Sequence, residues 1–249
     1  MQFMGFGTQL VENNLRDEFP DAKITRMDAD TTQSKFAYDE IIENFKSGES
    51  DILLGTQMVT KGHDFPDVTL VGVISADASL YLDDFRANEQ TFSLVTQDVG
   101  RAGRAPKKGR AVIQTYSPDH PVLKYAAKQD YESFYKDEIA LRRALVFPPF
   151  CDMVLFMFSS RFEQEAQNAA RIFAEKMKNN IKGDYNDVKL QAFGPFEAPI
   201  YKKQDMYRMR IVVKCVANGR TRSLFAKLLR EFSSQSKTTI SIDINPSGL

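Results

Sequence analysis

The stretch Asp51-Ile52-Leu53-Leu54-Gly55 decides how the first half of the chain folds. Its apolar centre is typical of a strand that is buried on both faces of a sheet. Comparable short runs at 23–27, 68–74 and 110–116 alternate with helical patterns at 34–46 and 85–99. This alternation predicts an α/β fold with a mostly parallel sheet and helices on both faces.

The chain begins with a predicted strand over 2–6, followed by a helix over 8–18 for which Thr8 is the expected N-cap. Residues 117–150 form a predicted helical connector, in which one helix runs from about His120 to about Leu145. Phe147-Pro148-Pro149-Phe150 ends that helix, because proline cannot continue it.

From Cys151 the pattern changes to β-α-β-β-α-β, which predicts a smaller α+β domain of the ferredoxin-like, split βαβ type. Gly194-Pro195 is expected to interrupt the regular secondary structure, and residues 200–205 are expected to form a loop. The predicted domains are a lobe over 1–116, a connector over 117–150 and an α+β domain over 151–249.

Composition limits the classes of function. The 33 basic and 33 acidic residues balance, so no overall field attracts nucleic acid or a membrane. The halves differ, however: residues 1–149 hold 17 Lys and Arg against 23 Asp and Glu, and residues 150–249 hold 16 against 10. A basic second half is a weak sign of nucleic-acid binding, and an ordinary solvated surface explains it equally well.

Cysteine and histidine usage argues against a disulfide framework or a metal cluster. Cys151 and Cys215 lie far apart between apolar neighbours, which predicts buried, inert thiols in a reducing cytoplasm. His63 and His120 are too few and too separated for a metal site. No apolar run approaches the length of a membrane span, so no membrane partner is expected.

The stretch Gln97-Asp98-Val99-Gly100-Arg101-Ala102-Gly103-Arg104 is the strongest candidate for chemistry. Arginines three residues apart project to the same side of a helical turn, and each guanidinium can contact phosphate with two N–H groups. A solvated basic turn that closes a helix is the alternative on spacing alone.

A second candidate is the loop that follows the Asp51 strand and carries Thr56, Lys61, Gly62 and Asp64. A hydroxyl and backbone N–H groups at the carboxyl end of a parallel strand can hold a nucleic-acid phosphate. A polar loop with capping roles is the alternative.

These two stretches resemble known motifs. Residues 55–68 resemble motif V of superfamily 2 helicases, and Gln97 to Arg104 resembles their motif VI, Gln-x-x-Gly-Arg-x-Gly-Arg. The form Lys61-Gly62-His63-Asp64-Phe65-Pro66, with the segments at 26–32, 84–89, 142–150 and 242–246, is similar to the PriA family of bacterial replication-restart DNA helicases.

The resemblance implies roles for the matching residues. Arg101 and Arg104 would reach the ATP γ-phosphate across a cleft, with Arg104 as the arginine finger, and Gln97 would position the nucleotide. Gly62 and Asp64 would face the nucleotide and Mg²⁺. Thr56 would contact the DNA backbone, and Lys61 either DNA or nucleotide.

Other family features are missing from the chain. No Gly-x-x-x-x-Gly-Lys-Ser/Thr loop occurs. The resemblance includes neither the Asp-Glu motif that would hold Mg²⁺ and orient water nor the family's paired zinc-binding cysteines. The resemblance therefore implies that the chain supplies the second, RecA-like helicase lobe and the C-terminal domain. It is expected to need its own N-terminal lobe for ATP and Mg²⁺, and to bind no zinc.

For the second half, the resemblance implies binding of fork or single-stranded DNA, of single-strand-binding protein and of primosome proteins, in the bacterial cytoplasm near the nucleoid. Local residues suited to this role are Lys202, Lys203, Arg208 and Arg210, with Tyr201 and Tyr207 nearby, and Lys214, Arg220 and Arg222 as extensions. An ordinary half-buried strand is the alternative.

Two other functions compete with that of an ATP-driven DNA helicase. The isolated chain could act as a non-catalytic module that binds DNA or a replication protein. A Rossmann-type cofactor enzyme is disfavoured, because Gly5-Phe6-Gly7 lacks the third glycine of the dinucleotide fingerprint.

Overall fold

The structure is a computed structural model that describes residues 7–28, 35–56, 59, 65–100, 109–233 and 238–248. The strand predicted over 2–6 lies outside these residues. The chain divides into two compact units, residues 1–136 and 137–249, a division that falls inside the predicted connector.

The first unit alternates helices with short strands. Its elements are α1 Thr8–Glu18, β1 Ile24–Met27, α2 Lys35–Lys46, β2 Ile52–Gly55, β3 Leu70–Val73, α3 Asp77–Leu80, α4 Ala87–Val99, β4 Arg110–Ile113, α5 Pro121–Lys128 and α6 Tyr131–Ala144, of which α6 continues into the second unit. Strand β1 pairs in parallel with β2, and β3 in parallel with β4. These parallel pairs, joined through helices, confirm the predicted α/β class.

Two apolar clusters hold the described part of this unit together. Met27 at the end of β1, Ile42 of α2 and Phe65 form one cluster. The other lies between α4 and α5, where Phe92 stacks on Phe134 with ring centres 4.2 Å apart and Val95 is 1% exposed. The second cluster fixes α4, the helix that leads into the arginine stretch.

The sequence-based description of this unit needs three corrections. Gly7, not Thr8, is the N-cap of α1, and the Thr8 hydroxyl donates to Asp28 instead. Residues 77–84, which follow the third strand and whose sequence predicts a loop, contain the short helix α3. The connector has two helices rather than one, because Gln129 adopts a left-handed backbone (φ 55°) and the Asp130 carboxylate accepts the Ser133 N–H at 3.1 Å to start α6.

The second unit holds a four-stranded antiparallel sheet of order β6-β7-β5-β8. Its elements are β5 Asp152–Ser160, α7 Glu163–Lys182, β6 Leu190–Lys203, β7 Met206–Cys215, α8 Gly219–Ser233 and β8 Thr239–Ile244. This order of strands is the ferredoxin-like, split βαβ topology that was predicted.

One face of this sheet is covered by both helices. Phe156 and Phe158 of β5 are fully buried and meet Phe173 of α7 at ring distances of 4.9 and 5.3 Å. Phe225 and Phe232 of α8 contact Phe156 and Phe158, respectively, with ring centres 5.2 and 5.8 Å apart. On the opposite face, called the open face below, Met153 and Leu155 of β5 are buried, whereas Phe193 and Phe196 of β6 are exposed.

Strand β6 differs from its prediction. A break at Gly194-Pro195 and a loop over 200–205 were expected. The structure instead has one strand from Leu190 to Lys203, with two irregularities in its pairing to β7. An edge strand tolerates such irregularities, which a central strand would not. Gly194 absorbs the first of them with φ +108°.

Both cysteines are free; Cys215 is buried as predicted, whereas Cys151 is only half-buried, so the prediction of two buried thiols is wrong for Cys151. Burial raises the pKa of the Cys215 thiol to about 11, and burial also raises the pKa of the half-buried Cys151. Within the described residues, no helix is both long and apolar enough to cross a bilayer, and no three metal-ligand side chains come together.

Candidate nucleotide and nucleic-acid interfaces

The carboxyl ends of β1 and β2 lie side by side, since Met27 pairs with Gly55. A side chain at position 55 would collide with the Met27 carbonyl and the Val59 side chain, so this position requires glycine. Thr56 follows directly and is exposed. A hydroxyl is thereby presented at the sheet edge where α/β folds bind ligands.

Asp28 marks the same edge at the end of β1 and is 7% exposed. Its carboxylate accepts the Thr8 hydroxyl at 2.6 Å and lies 3.0 Å from the Arg26 guanidinium, which also lies 3.4 Å from Glu12. These contacts tie α1 to the end of β1. Asp28 therefore holds the edge in place, a role that the sequence did not reveal.

Gln97 occupies the last turn of α4, on its exposed side. The opposite side of the helix buries Thr91, Phe92 and Val95. Helix α4 closes at Gly100, whose N–H donates to the Thr96 carbonyl at 3.0 Å. The start of the predicted arginine motif is thus on a helix whose orientation is fixed by packing.

Five predicted site residues lie outside the described residues: Lys61, Gly62, Asp64, Arg101 and Arg104. The roles expected for them stay predictions. The described residues that flank these positions, Thr56 and Gln97, are both exposed.

At the beginning of α4, Asp84 and Arg86 form a bidentate pair. The Arg86 Nε and Nη2 donate to Asp84 at 3.0 and 3.1 Å, and the Arg86 backbone N–H donates at 2.8 Å. The segment 84–89, which carries part of the family resemblance, therefore shapes the start of the helix that ends at Gln97.

In the second unit, Arg208 and Arg210 point to the open face. Side chains alternate along β7, and Met209, Ile211 and Val213 are the buried, helix-facing set. Arg208 and Arg210 are half-buried on the other side. Among the described residues, the Arg208 side chain has no hydrogen-bond or ion-pair partner, while its backbone pairs with Ser159 of β5.

Phe196 pairs with Arg210, and Phe193 with Val212, so both aromatic rings share the open face with the arginines. The rings are 40% exposed at Phe193 and 50% exposed at Phe196. Sequence reasoning missed both residues, because it read the Phe193-Gly194-Pro195-Phe196 stretch as a chain break. The two phenylalanines around Gly-Pro were the available signal.

Lys202 and Lys203 lie at the end of the β6–β7 hairpin, whose turn residues Gln204 and Asp205 both have positive φ. The Lys202 ammonium is 3.6 Å from Asp205 and 5.0 Å from the centre of the Tyr207 ring. Lys203 is exposed and pairs with Met206. The structure thus places these lysines at the tip, beyond the two arginines.

Tyr201 and Tyr207 are turned toward the helices. The Tyr201 hydroxyl donates to Glu163 at 2.8 Å and accepts from Gln167 at 3.1 Å, and the two tyrosine rings meet edge to face at 5.6 Å. Desolvation and the hydrogen bond to Glu163 raise the pKa of Tyr201. The expected interleaving of these tyrosines with Arg208 and Arg210 does not occur on one face.

Three further basic residues have different positions. The Lys214 ammonium donates to the Leu145 carbonyl at 2.8 Å and lies between the rings of Phe147 and Phe193, at 3.6 and 5.6 Å from their centres. Arg220 pairs with Asp187 at 3.0 Å and lies over the Tyr185 ring. Arg222 is an exposed residue of α8, which packs on the opposite side of the sheet from the open face.

Sequence comparison places both units in known families. The family described as helicase conserved C-terminal domain matches residues 5–106, and the family described as primosomal protein N C-terminal domain matches residues 143–247. The first match contains the Thr56 and Gln97 edge, and the second contains the open-faced sheet.

Curated relatives match along almost the whole chain. The chain is 42% identical to the replication restart protein PriA of Bacillus subtilis over 99% of its residues, and 35% identical to that of Chlamydia muridarum over 99%. It is 36% identical to that of Haemophilus influenzae over 98%. The matched regions cover 30%, 32% and 33% of these proteins, so the chain spans about a third of their length.

Both domain families and the relatives agree with the fold. The chain therefore belongs to the PriA family of replication restart proteins.

Proposed function

We propose that the chain is part of an ATP-dependent 3′→5′ DNA helicase that acts in primosome assembly and replication restart at stalled forks. The observation that carries the proposal is the stretch Gln97 to Arg104 within a helicase-matched segment, continuing from the exposed end of α4. The names of the relatives, replication restart protein PriA, support the biological setting.

In this proposal the arginines act on phosphate. The guanidinium groups of Arg101 and Arg104 stabilise the negative charge that develops on the transferred phosphoryl group, with Arg104 as the arginine finger. Gln97 orients the nucleotide toward them. Gly62 and Asp64 face the nucleotide and Mg²⁺, and an Asp carboxylate is a ligand type that suits this cation.

DNA is contacted at the neighbouring edge. Thr56 is exposed directly after β2, so its hydroxyl and the following backbone can donate to a DNA phosphate. Lys61 serves the DNA or the nucleotide. ATP hydrolysis would then be coupled to movement along DNA through one loop that contacts both.

The chain supplies half of the nucleotide site. Its sequence has no Gly-x-x-x-x-Gly-Lys-Ser/Thr loop to cradle the phosphates. The proposal therefore requires an N-terminal helicase lobe to bind ATP and Mg²⁺, with the arginines reaching in from this chain.

Arg104→Ala in the full-length protein tests the arginine finger. An arginine finger contributes about 10³- to 10⁵-fold to turnover, so DNA-stimulated ATP hydrolysis should fall by at least about a thousandfold while DNA affinity is retained. Arg110→Ala is the matched control, since Arg110 is exposed at the amino end of β4, the opposite end of the strand from the catalytic edge. Turnover of the Arg104 variant within about tenfold of the unmodified protein would contradict the role.

The missing phosphate loop favours a second function for the chain on its own, as a non-catalytic module that binds DNA or a replication protein. In this form the 249-residue chain should show no DNA-stimulated ATP hydrolysis. Hydrolysis by the purified chain that persists in Arg104→Ala would contradict both the half-site and the module.

For the second unit we propose contacts with fork or single-stranded DNA, with single-strand-binding protein and with primosome proteins, in the bacterial cytoplasm at the nucleoid. The surplus of 16 basic over 10 acidic residues in 150–249 supports a polyanionic partner. Affinity that falls with rising salt is the expected signature.

A further inference from the structure

We propose that the open face of the second unit's sheet binds single-stranded DNA, with unpaired bases stacked on Phe193 and Phe196 and phosphates held by Arg208 and Arg210. The inference rests on the DNA-binding function proposed above and names the surface and the form of DNA that it takes.

The first observation is the exposure of the two aromatic rings. Phe193 and Phe196 are 40% and 50% exposed on the β6 edge of the open face, while Met153 and Leu155 of β5 on the same face are buried. The helix-covered face of the same sheet buries its phenylalanines completely, as at Phe156 and Phe158. Flat π faces accessible from solvent are what an unpaired base needs for stacking.

The second observation is that the backbone holds Phe196 in place. Gly194 has φ +108°, and a side chain there would lie 2.9 Å from the Arg210 carbonyl and 3.2 Å from the Phe196 ring. Glycine at this position lets β6 approach β7 closely and seats Phe196 across from Arg210. The ring is therefore preorganised beside a guanidinium rather than loosely exposed.

The third observation is charge. Arg208 and Arg210 occupy alternate positions of β7 on this face, and Lys203 lies near its hairpin end. Asp243 is the acidic residue that the pairing places on the same face, but it belongs to edge strand β8, across from Leu155 and on the far side from Phe193. The half of the face that carries the aromatic rings is thus basic, which suits a polyanion.

The dimensions fit a short single strand. From Arg208 to Lys214 the face extends about 20 Å along β7. The loop around Phe147, anchored by Lys214, bounds one end, and the hairpin at Lys203 bounds the other. Phe193 and Phe196 lie on edge strand β6, beside the arginines of β7, so a single strand along this edge can stack bases on both rings.

Base stacking argues for a single strand rather than a duplex. Bases in a duplex already stack on each other and present only their edges in the grooves, so they cannot lie on a phenylalanine ring.

The test measures binding of a fluorescein-labelled short oligothymidylate to the full chain at low salt. Alanine in place of one stacking residue costs about 5- to 150-fold in affinity, so Phe193→Ala together with Phe196→Ala should weaken binding by at least about 25-fold. Phe162→Ala is the matched control, since Phe162 is 66% exposed at the N-cap of α7 and should bind as the unmodified chain does. Duplex DNA should compete poorly.

A second pair of variants separates stacking from folding. Phe193→Tyr with Phe196→Tyr keeps the π faces and should restore binding to within about threefold, whereas the two leucine substitutions keep apolar bulk and should not. The fluorescence of 2-aminopurine placed in the oligonucleotide should be quenched by the tyrosine variant and not by the leucine variant. Arg208→Gln should lower the slope of log affinity against log salt by about one.

The outcomes are distinguishable. No binding of oligothymidylate by the unmodified chain would overturn DNA binding by this domain and this inference with it. Binding that is unchanged in the double alanine variant but lost in Lys202→Gln with Lys203→Gln would overturn the open face alone and place the contact at the hairpin tip.

Discussion

The two units differ in where their sheets present candidate functional groups. In the described part of the first unit each strand is four residues long, and the residues of interest follow the end of strand β2 at Thr56 and the end of helix α4 beyond Gln97. In the second unit the strands are 6 to 14 residues long, and the residues of interest lie across a sheet face. Parallel strands joined by helices leave their edges for ligands, whereas an antiparallel sheet with helices on one side leaves a face.

The cores differ in the same sense. The second unit has one continuous cluster that includes five phenylalanines from three elements, while the described part of the first unit has two separate clusters. A face can serve as a rigid binding platform only when the opposite side is packed tightly, and the second unit meets that condition. We expect the sheet of the second unit to be the more stable part of the chain. The strand ends of the first unit, with the proposed nucleotide-binding residues, should be the more adaptable part.

Phe156→Ala gives the largest expected change in stability. Phe156 is 0% exposed, and truncation of a buried phenylalanine costs about 3–5 kcal/mol. Differential scanning calorimetry should show two transitions, one for each compact unit, and only one of them should shift. Ile172→Ala, a 42% exposed site on α7, should move neither. A single transition shifted by Phe156→Ala would break the comparison, because the units would then unfold together.

Gly194→Ala should have an intermediate effect. The left-handed φ of +108° and the contact with the Arg210 carbonyl make alanine strained there, at a cost of about 1–3 kcal/mol. The variant should also lose affinity for oligothymidylate, since Phe196 would be displaced. Gly219→Ala is the control, because nothing lies within 4 Å of a side chain added at that helical position. Equal stability of Gly194→Ala and the unmodified chain in urea would show that the close approach is not needed.

Asp152 carries the smallest predicted effect and ties the ends of three strands together. Its carboxylate accepts the Asn245 side-chain amide at 2.9 Å and the Ala217 N–H at 2.8 Å, and these bonds lower its pKa below the ordinary value of 3.8. Because the pKa of Asp152 is lower in the folded state than in the unfolded state, the ionised carboxylate stabilises the fold. This stabilisation is fully present above the pKa of the unfolded state and is lost as the pH falls through the pKa of the folded state.

Asp152→Ala should therefore reduce the free energy of unfolding by about 1 kcal/mol at neutral pH, and the difference should shrink as the pH falls below about 4. Urea unfolding at several pH values measures this. A difference that stays constant down to acidic pH would show that the carboxylate charge contributes nothing.

The sequence predicted much of the fold because both halves follow strong patterns. Apolar runs marked β1 to β4 within two or three residues, and the alternation along β7 marked a half-buried strand. It failed where local signals compete with tertiary structure. Gly194-Pro195 reads as a break, yet pairing to β7 carries β6 through it; Gln129 gives no sign of the left-handed turn that splits the connector.

The candidate sites show the same limit. Alternation along β7 placed Arg208 and Arg210 on one side but could not say which aromatic side chains join them. Tyr201 and Tyr207 are adjacent to the basic residues in sequence and lie toward α7, while Phe193 and Phe196 come from the partner strand. Cross-strand neighbours depend on the register of the two strands. Because β6 has two irregularities in its pairing with β7, residue spacing in the sequence does not predict that register.

The most direct test measures, in one protein, the separate contributions of the arginine stretch in the first unit and of the open face in the second. ATP hydrolysis by the full-length protein is measured against single-stranded DNA concentration for Arg104→Ala and for the double variant Phe193→Ala, Phe196→Ala. The account predicts that Arg104→Ala lowers maximal turnover at least about a thousandfold with unchanged DNA affinity. The phenylalanine variant should keep its maximal turnover and need at least about 25-fold more DNA for half-stimulation. Loss of both properties in both variants, or an exchange of the two effects, would contradict it.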